Sequence, residues 1–485
     1  MQENSARLRD GKTEATSGSL TQDTEWHPRL RPEDTVAKRI RGAMGLFLSY
    51  PYFDRLALWA LTTRFFPLSR VWAAATVSGG VPERFLSEVP LESNGIDIDR
   101  LQGALFLTEA ARATASAVSE SWETSFFGAD SRTSEELVAI ETARRDHHHA
   151  LNTMRRKFRF LLKHPIPIVL SDSPTPLQVA AKFDDALQNR AGLFAVPNPM
   201  PKVEVSRKVP GAVGTNYWLR FPSPSKQLGD TVYARVYEPE GVKNPPTIIF
   251  GHGICVEFDL WHGLIDEVDE LCRMGIRVIR PEAPWHGRRR PAGRFSGETI
   301  VATAPFGPLY AFSGALREWA VLIDWARQTS TGKVAVGGSS LGAQMSMLCA
   351  DVSRDWPKHL QPEAMLLITH AGNQRDALLT GALAQVWKSR EAMIKKGWTG
   401  ETAGKYLPIL DPDWKTPPIV DPQNIISVLG SYDHVTPFES GLGLLNAWNV
   451  PDDNRFIWRR GHFSVPMTMI RDTGPLRRFR DILMR

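Results

Sequence analysis

The spacing of apolar residues changes character near residue 200. Upstream, from about 36 to 200, the chain carries long stretches rich in Ala, Leu, Glu and Arg at 101–121 and 134–163, broken around Ser125-Phe126-Phe127-Gly128. Such side chains lose little rotamer freedom in a helix, so the region is predicted to be mainly helical. Pro165, Pro167, Pro174 and Pro176 interrupt it, 177–191 offers a further helix, and Pro197-Asn198-Pro199-Met200-Pro201 reads as a linker. Downstream, short β-branched runs alternate with helix-forming stretches. Strands are predicted at 231–237, 247–250, 276–280, 333–337, 366–370, 425–430 and 455–458, and helices at 312–328 and 343–350. The runs at 276–280 and 425–430 read as buried parallel strands. The expected division is therefore a helical region, 36–200, followed by a second unit, 201–485. Residues 1–35 are polar and lack an apolar core, which predicts disorder and excludes a signal peptide.

Between the strand at 333–337 and the helix at 343–350 lies Gly338-Ser339-Ser340-Leu341-Gly342. A Gly-x-Ser-x-Gly pentapeptide at a strand-to-helix junction is a nucleophile elbow. The turn is so tight that side chains two residues to either side of the serine collide, and glycines remove those collisions. Only Ser340 has glycine at both positions, so Ser340 rather than Ser339 is the candidate nucleophile. In chain order such an elbow is followed by an acid and then a histidine. Asp433 lies in Ser431-Tyr432-Asp433-His434-Val435-Thr436-Pro437, after the strand at 425–430. His462 lies in Arg459-Arg460-Gly461-His462-Phe463-Ser464, after the strand at 455–458. A serine hydroxyl is a weak nucleophile, so an imidazole must take its proton and a carboxylate must orient the ring and stabilise its charged form. Each residue also has a plainer reading: Asp433 as a loop aspartate closing an Asx-turn, and His462 as a surface histidine. Asp376 is the rival acid, whereas Asp411, Asp413 and Asp421 read as loop caps. His434 would serve as base only if the chain reversed locally.

These residues, in this order, resemble the α/β-hydrolase superfamily in its esterase- and lipase-like part. The resemblance rests on 338–342, the 430–437 loop, Gly461-His462 and Phe250-Gly251-His252-Gly253, and covers roughly 230–485. It implies an α/β-hydrolase fold: a mostly parallel sheet flanked by helices, with catalytic loops at the strand carboxyl ends. It implies an oxyanion hole built from the amides of Leu341 and Ile254, with Gly253 the alternative donor, since the flanking residues depart from the His-Gly-Gly-Gly form of some lipases. It makes 371–423 a helical lid insertion, given apolar mass by Trp387, Met393 and Trp398. The string Pro284-Trp285-His286-Gly287-Arg288 resembles loops of several hydrolase branches and places Trp285 and Arg288 at the substrate pocket. There Arg288 either binds an anionic group or locks neighbouring loops. His252 is grouped with the pocket, although a structural role is expected of it. The activity implied is hydrolysis of a carboxylic ester through an acyl-enzyme, with a small-molecule ester as partner and no cofactor. An amidase, peptidase or acyltransferase would use the same trio, and a catalytically silent scaffold would keep only the fold.

Composition narrows the setting. A chain of 485 residues exceeds the usual single-domain size, and its 42% hydrophobic content is ordinary for a globular protein. A net charge of +5 without a long basic run is no nucleic-acid footprint. Cys255, Cys272 and Cys349 are few, odd in number and far apart, which disfavours a disulfide framework and fits a reducing, cytoplasmic location. His147-His148-His149 sits in a helix-like stretch where neighbours face different ways, so a shared metal is not expected. The aromatic segment 46–77 is expected to pack on the second unit or cap its pocket, ahead of a peripheral membrane contact. No segment reads as a membrane span.

Overall fold

The computed structural model describes residues 50–89, 91, 95–256 and 267–485, so the expectation for residues 1–35 lies outside it. Among the described residues every element from Pro51 to Leu193 is helical. Four of these helices matter below: α1 (Pro51–Ala60), α2 (Phe66–Ala75), α3 (Ile98–Phe127) and α4 (Ser134–Thr153). Ten strands follow among the described residues: β1 (Glu204–Val205), β2 (Val209–Pro210), β3 (Thr215–Pro222), β4 (Thr231–Glu238), β5 (Thr247–Gly251), β6 (Arg277–Pro281), β7 (Val334–Ser339), β8 (Ala364–Ile368), β9 (Ile425–Gly430) and β10 (Arg455–Trp458). They form one sheet in the order β1-β3-β4-β6-β5-β7-β8-β9-β10, with β2 on β3. From β6 to β10 every pairing is parallel, while β1, β2, β3 and β4 add an antiparallel flank.

Two apolar layers sandwich this sheet, which is why its strands read as unbroken apolar runs. In β8, Met365 and Leu367 face one layer while Ala364, Leu366 and Ile368 face the other. Helices α5 (Phe306–Thr329) and α6 (Leu341–Val352) cover the first face, and Val268–Arg273 with Gly474–Met484 the second. The mostly parallel sheet, helices on both faces, and the chain passing from β5 to β6 on one side and then to β7 on the other make this an α/β-hydrolase fold. The reversal of strand order at β5 opens a crevice at its carboxyl end.

One strand lies outside those expected from the sequence. In β3, Asn216 and Arg220 interrupt the apolar run. The fold satisfies both: Asn216 accepts from the Arg235 guanidinium and Arg220 pairs with Glu123 and Glu204. Helix α3 ends within the break expected at 125–128: its last residue is Phe127 and Gly128 caps it. Packing holds the last turn helical as far as Phe127, since Phe126 stacks on Trp122 at 4.9 Å and both meet Trp218 of β3 edge-on. Through Leu137 and Val138 as well, α3 and α4 close over the antiparallel flank.

Candidate active site

The elbow stands at the end of β7. Ser340 has φ 55° and ψ −112°, a backbone region that costs a residue with a Cβ of order 1–3 kcal/mol and persists only when its surroundings over-determine it. They do. A Cβ on Gly338 or on Gly342 would run into the Gly251 carbonyl oxygen, so the neighbouring strand end demands both glycines. The Ser340 N–H donates to Ile368 at 2.9 Å, and its carbonyl accepts from the Gln344 N–H at 3.0 Å. Ser339 stays on the strand, paired with Ile368, its hydroxyl buried.

Two loops bring their side chains to this tip. His462 Nε2 lies 3.1 Å from Ser340 Oγ, and His462 Nδ1 lies 2.8 Å from Asp433 Oδ2. The Asp433 carboxylate also accepts from the N–H groups of Val435 (2.8 Å) and Thr436 (2.9 Å) and from the Thr436 hydroxyl (2.8 Å). The Asx-turn reading and the histidine-partner reading of Asp433 are thus both satisfied by one residue. Nothing in the sequence pattern singled out Thr436, whose hydroxyl also lies 3.1 Å from His462 Nδ1. Asp376 exchanges hydrogen bonds with Asn373 instead, and His434 is exposed. Asp413 and Asp421 cap Lys415 and Gln423, but Asp411 is half-buried and accepts from the Gln374 N–H, and its loss of solvent raises its pKa to about 6. If Asp433 is the acid, Asp433→Asn should lower ester turnover about 10⁴-fold, as the corresponding change does in a serine protease. Asp376→Asn should leave it near wild type, and the reverse pattern in steady-state rates would move the acid to the segment after β8.

The turn after β5 is pinned by two buried histidines. His252 Nδ1 lies 2.7 Å from the Gly253 carbonyl, and its Nε2 accepts from the Ala283 N–H at 3.0 Å. His286, which sequence reasoning passed over inside the Pro284–Arg288 string, accepts from the Cys255 N–H at 3.1 Å and lies 3.0 Å from the Pro284 carbonyl. His252 is therefore a brace and not a pocket wall: it is 3% exposed and both ring nitrogens are engaged. Burial, and then the neighbouring His286, hold its pKa well below the ordinary value. The brace also carries the elbow, since the His252 carbonyl accepts the Gly342 N–H at 3.0 Å. The Cys255 amide is committed to His286, and Gly253 stands beside the elbow: a Cβ on it would lie 3.8 Å from the Ser340 Cβ. Among the described residues neither the Ile254 nor the Leu341 N–H donates a hydrogen bond, and Leu341 opens α6, where the helix terminus favours negative charge.

Trp285 is half-buried, turns the chain with φ 60°, and packs in the same apolar layer as Ile254 and Leu341. Arg288 does not join them. Its guanidinium lies over the rings of Trp122 (4.2 Å) and Tyr233 (4.7 Å), in a cavity of ≈ 520 Å³ between α3, α4 and the sheet flank that Ser340, Asp433 and His462 do not line. The loop lock belongs to the next residue: buried Arg289 pairs with both Asp230 and Glu318 and donates to the Glu282 carbonyl.

The roof over the elbow is shared. Phe66 and Trp72 of α2, Leu383 and Trp387 from the 371–423 segment, and Val435 beside Asp433 form one apolar cluster, with Ile254 and Phe463 against it. Phe66 meets Trp387 edge-on at 5.8 Å. The aromatic segment divides here. Its second half is buried as expected, but Tyr50, Tyr52 and Trp59 of the first half are each about half exposed. Among the described residues no helix is long and apolar enough to cross a membrane. Burial raises the thiols of Cys272, to about 12, and Cys349, which keeps both protonated and unreactive.

His370, at the end of β8, is buried against the Ser427 hydroxyl at 2.8 Å, and burial lowers its pKa from 6.5 to about 4. The unfolded chain takes up this proton near pH 6.5 while the native state refuses it until about pH 4, so its contribution is present at neutral pH and lost as pH falls through that window. The loss should reach about 3 kcal/mol. Urea unfolding at neutral pH and near pH 4 checks it, and His370→Gln should flatten that part of the slope.

No protein-family model and no curated protein matches this chain. Among solved structures it is similar to acetyl xylan esterase 1 from Thermoanaerobacterium sp. JW/SL YS485, at 17% identity over 65% of this chain and 96% of that one, with a TM-score of 0.44. It is also similar to an S-formylglutathione hydrolase from Agrobacterium tumefaciens, at 15% identity over 57% of this chain and 99% of that one, with a TM-score of 0.39. A third is the acylaminoacyl peptidase of Pyrococcus horikoshii, at 12% identity over 57% of this chain and 46% of that one, with a TM-score of 0.37.

Proposed function

We propose that this protein is a serine hydrolase that cleaves a carboxylic ester. The observation that carries the reading is the hydrogen-bonded chain Ser340–His462–Asp433, with Ser340 held at a strained elbow tip. His462 Nε2 takes the Ser340 proton as Oγ attacks the ester carbonyl, and Asp433 stabilises the imidazolium. Negative charge develops on the carbonyl oxygen, and the amides of Leu341 and Ile254 receive it. His462 then hands its proton to the departing alcohol, leaving an acyl group on Ser340. Water, deprotonated by the same imidazole, releases the acid. The chemistry uses no cofactor. The roof of Phe66, Trp72, Leu383 and Trp387 favours an apolar acyl part, because burying such a chain there removes apolar surface from water. A fluorophosphonate probe tests the class: mass spectrometry should find one adduct, on Ser340. Nitrophenyl esters of graded chain length then read the acyl preference. An unlabelled protein would sink the proposal.

A further inference from the structure

One carboxylate outside the trio reaches the catalytic edge, from the far end of the chain. Asp54 lies on α1, and its Oδ1 accepts the Phe463 N–H at 2.6 Å. Its Oδ2 accepts the Ser464 hydroxyl, whose oxygen in turn accepts the Gly461 N–H at 2.8 Å. Asp54 therefore gathers the backbone on both sides of His462, directly at residue 463 and through Ser464 at residue 461. The approach is so close that only glycine fits at 461: a Cβ there would lie 2.6 Å from Asp54 Oδ1 and 2.7 Å from Oδ2. Ser464 is fully buried. Helix α1, by contrast, buries none of its residues fully, and Tyr52, Leu56 and Trp59 are about half exposed. A helix with so weak an apolar grip still places a half-buried carboxylate behind the histidine loop. Burial raises the Asp54 pKa, opposed by its bonds to Ser464 and Phe463.

We propose that Asp54 is a positioning residue for the reaction proposed above: it clamps the 461–464 turn so that His462 Nε2 stays within hydrogen-bond reach of Ser340 Oγ. The helical N-terminal region thereby completes the active site as well as roofing it. The inference rests on the reading of Ser340, His462 and Asp433 as the catalytic trio. A general base acts only from near-attack geometry, and a displacement of about 1 Å costs about 10²-fold in rate.

The test uses the full chain with nitrophenyl butyrate as substrate and the fluorophosphonate as probe. Asp54→Ala should lower kcat about 10²-fold and slow labelling in parallel, with KM changed by less than about threefold, because the clamp holds the base and not the substrate. Asp54→Asn keeps the shape and one acceptor, so it should recover part of that loss, ending about tenfold below wild type. Should Asp54→Ala fail to fold, Asp54→Asn carries the test alone, and a wild-type kcat in that variant overturns the proposal. A variant that keeps kcat and labelling rate while KM rises also overturns it, since α1 would then be a pocket wall. A wild-type protein that the probe does not label overturns the hydrolase reading itself. A labelled wild type beside an equally active Asp54→Ala variant overturns this inference alone.

Discussion

Ser340→Ala should abolish fluorophosphonate labelling and lower ester turnover by about 10⁶, the loss seen when a serine protease loses its nucleophile. The neighbouring serine cannot substitute. Ser339, one residue earlier, lies on β7 with its hydroxyl buried and unpartnered, so it cannot reach a substrate carbonyl. Ser339→Ala should therefore keep most activity, and removing an unsatisfied buried hydroxyl should leave stability unchanged or slightly raised. The elbow itself should survive both changes, because its strain is imposed by the Gly251 carbonyl against Gly338 and Gly342 and not by either serine side chain. Labelling lost in the Ser339 variant and kept in the Ser340 variant would shift the register of the elbow by one residue.

The largest stability effect is expected at Glu298. This carboxylate is fully buried and accepts Arg70 Nη1 at 3.0 Å and 2.8 Å, Arg294 Nη1 at 3.2 Å, and the N–H groups of Leu170 and Phe295 at 3.2 Å each. Arg70 and Leu170 belong to the helical half, so Glu298 is a polar joint between that half and the sheet. Removing one partner strands the other charge out of water. Glu298→Ala should cost about 3–5 kcal/mol, read as a lowered urea midpoint. Replacing both partners, Arg70→Met with Glu298→Leu, should cost less than the single change, because the fully buried Arg70 charge is removed with its partner and the remaining cation, Arg294, is partly exposed. A single variant as stable as wild type would mean that this ion pair contributes nothing to holding the two halves together.

How far the sequence carries the argument differs from residue to residue. The elbow was legible because its cause is local: two glycines flanking a serine answer a steric problem posed within five residues and by one adjacent strand end. Asp433 and His462 were legible as residues following strands, yet their partners were not. Whether Asp433 or Asp376 faces the imidazole depends on which loop the order of β8, β9 and β10 brings beside Ser340. The basic turn after β6 misled by one position: the string drew attention to Arg288, while burial between Asp230 and Glu318 makes Arg289 the lock. The strand β3 escaped because Asn216 and Arg220 look like solvent-facing residues until their partners on β4, α3 and β1 are known. Asp54 had no signal at all, standing 409 residues from the amide it accepts.

By itself, then, the amino-acid sequence determined the succession of helices and buried strands, the α/β class and the position of the elbow. These follow from backbone sterics and apolar periodicity, which act between near neighbours. Only the tertiary structure decided which carboxylate meets His462, that His252 and His286 brace the turn after β5, and that α1 and α2 reach the catalytic edge. A hydrogen bond is decided within a few tenths of an ångström, and across distant loops that distance is set by strand order and by the packing of both halves into one apolar core.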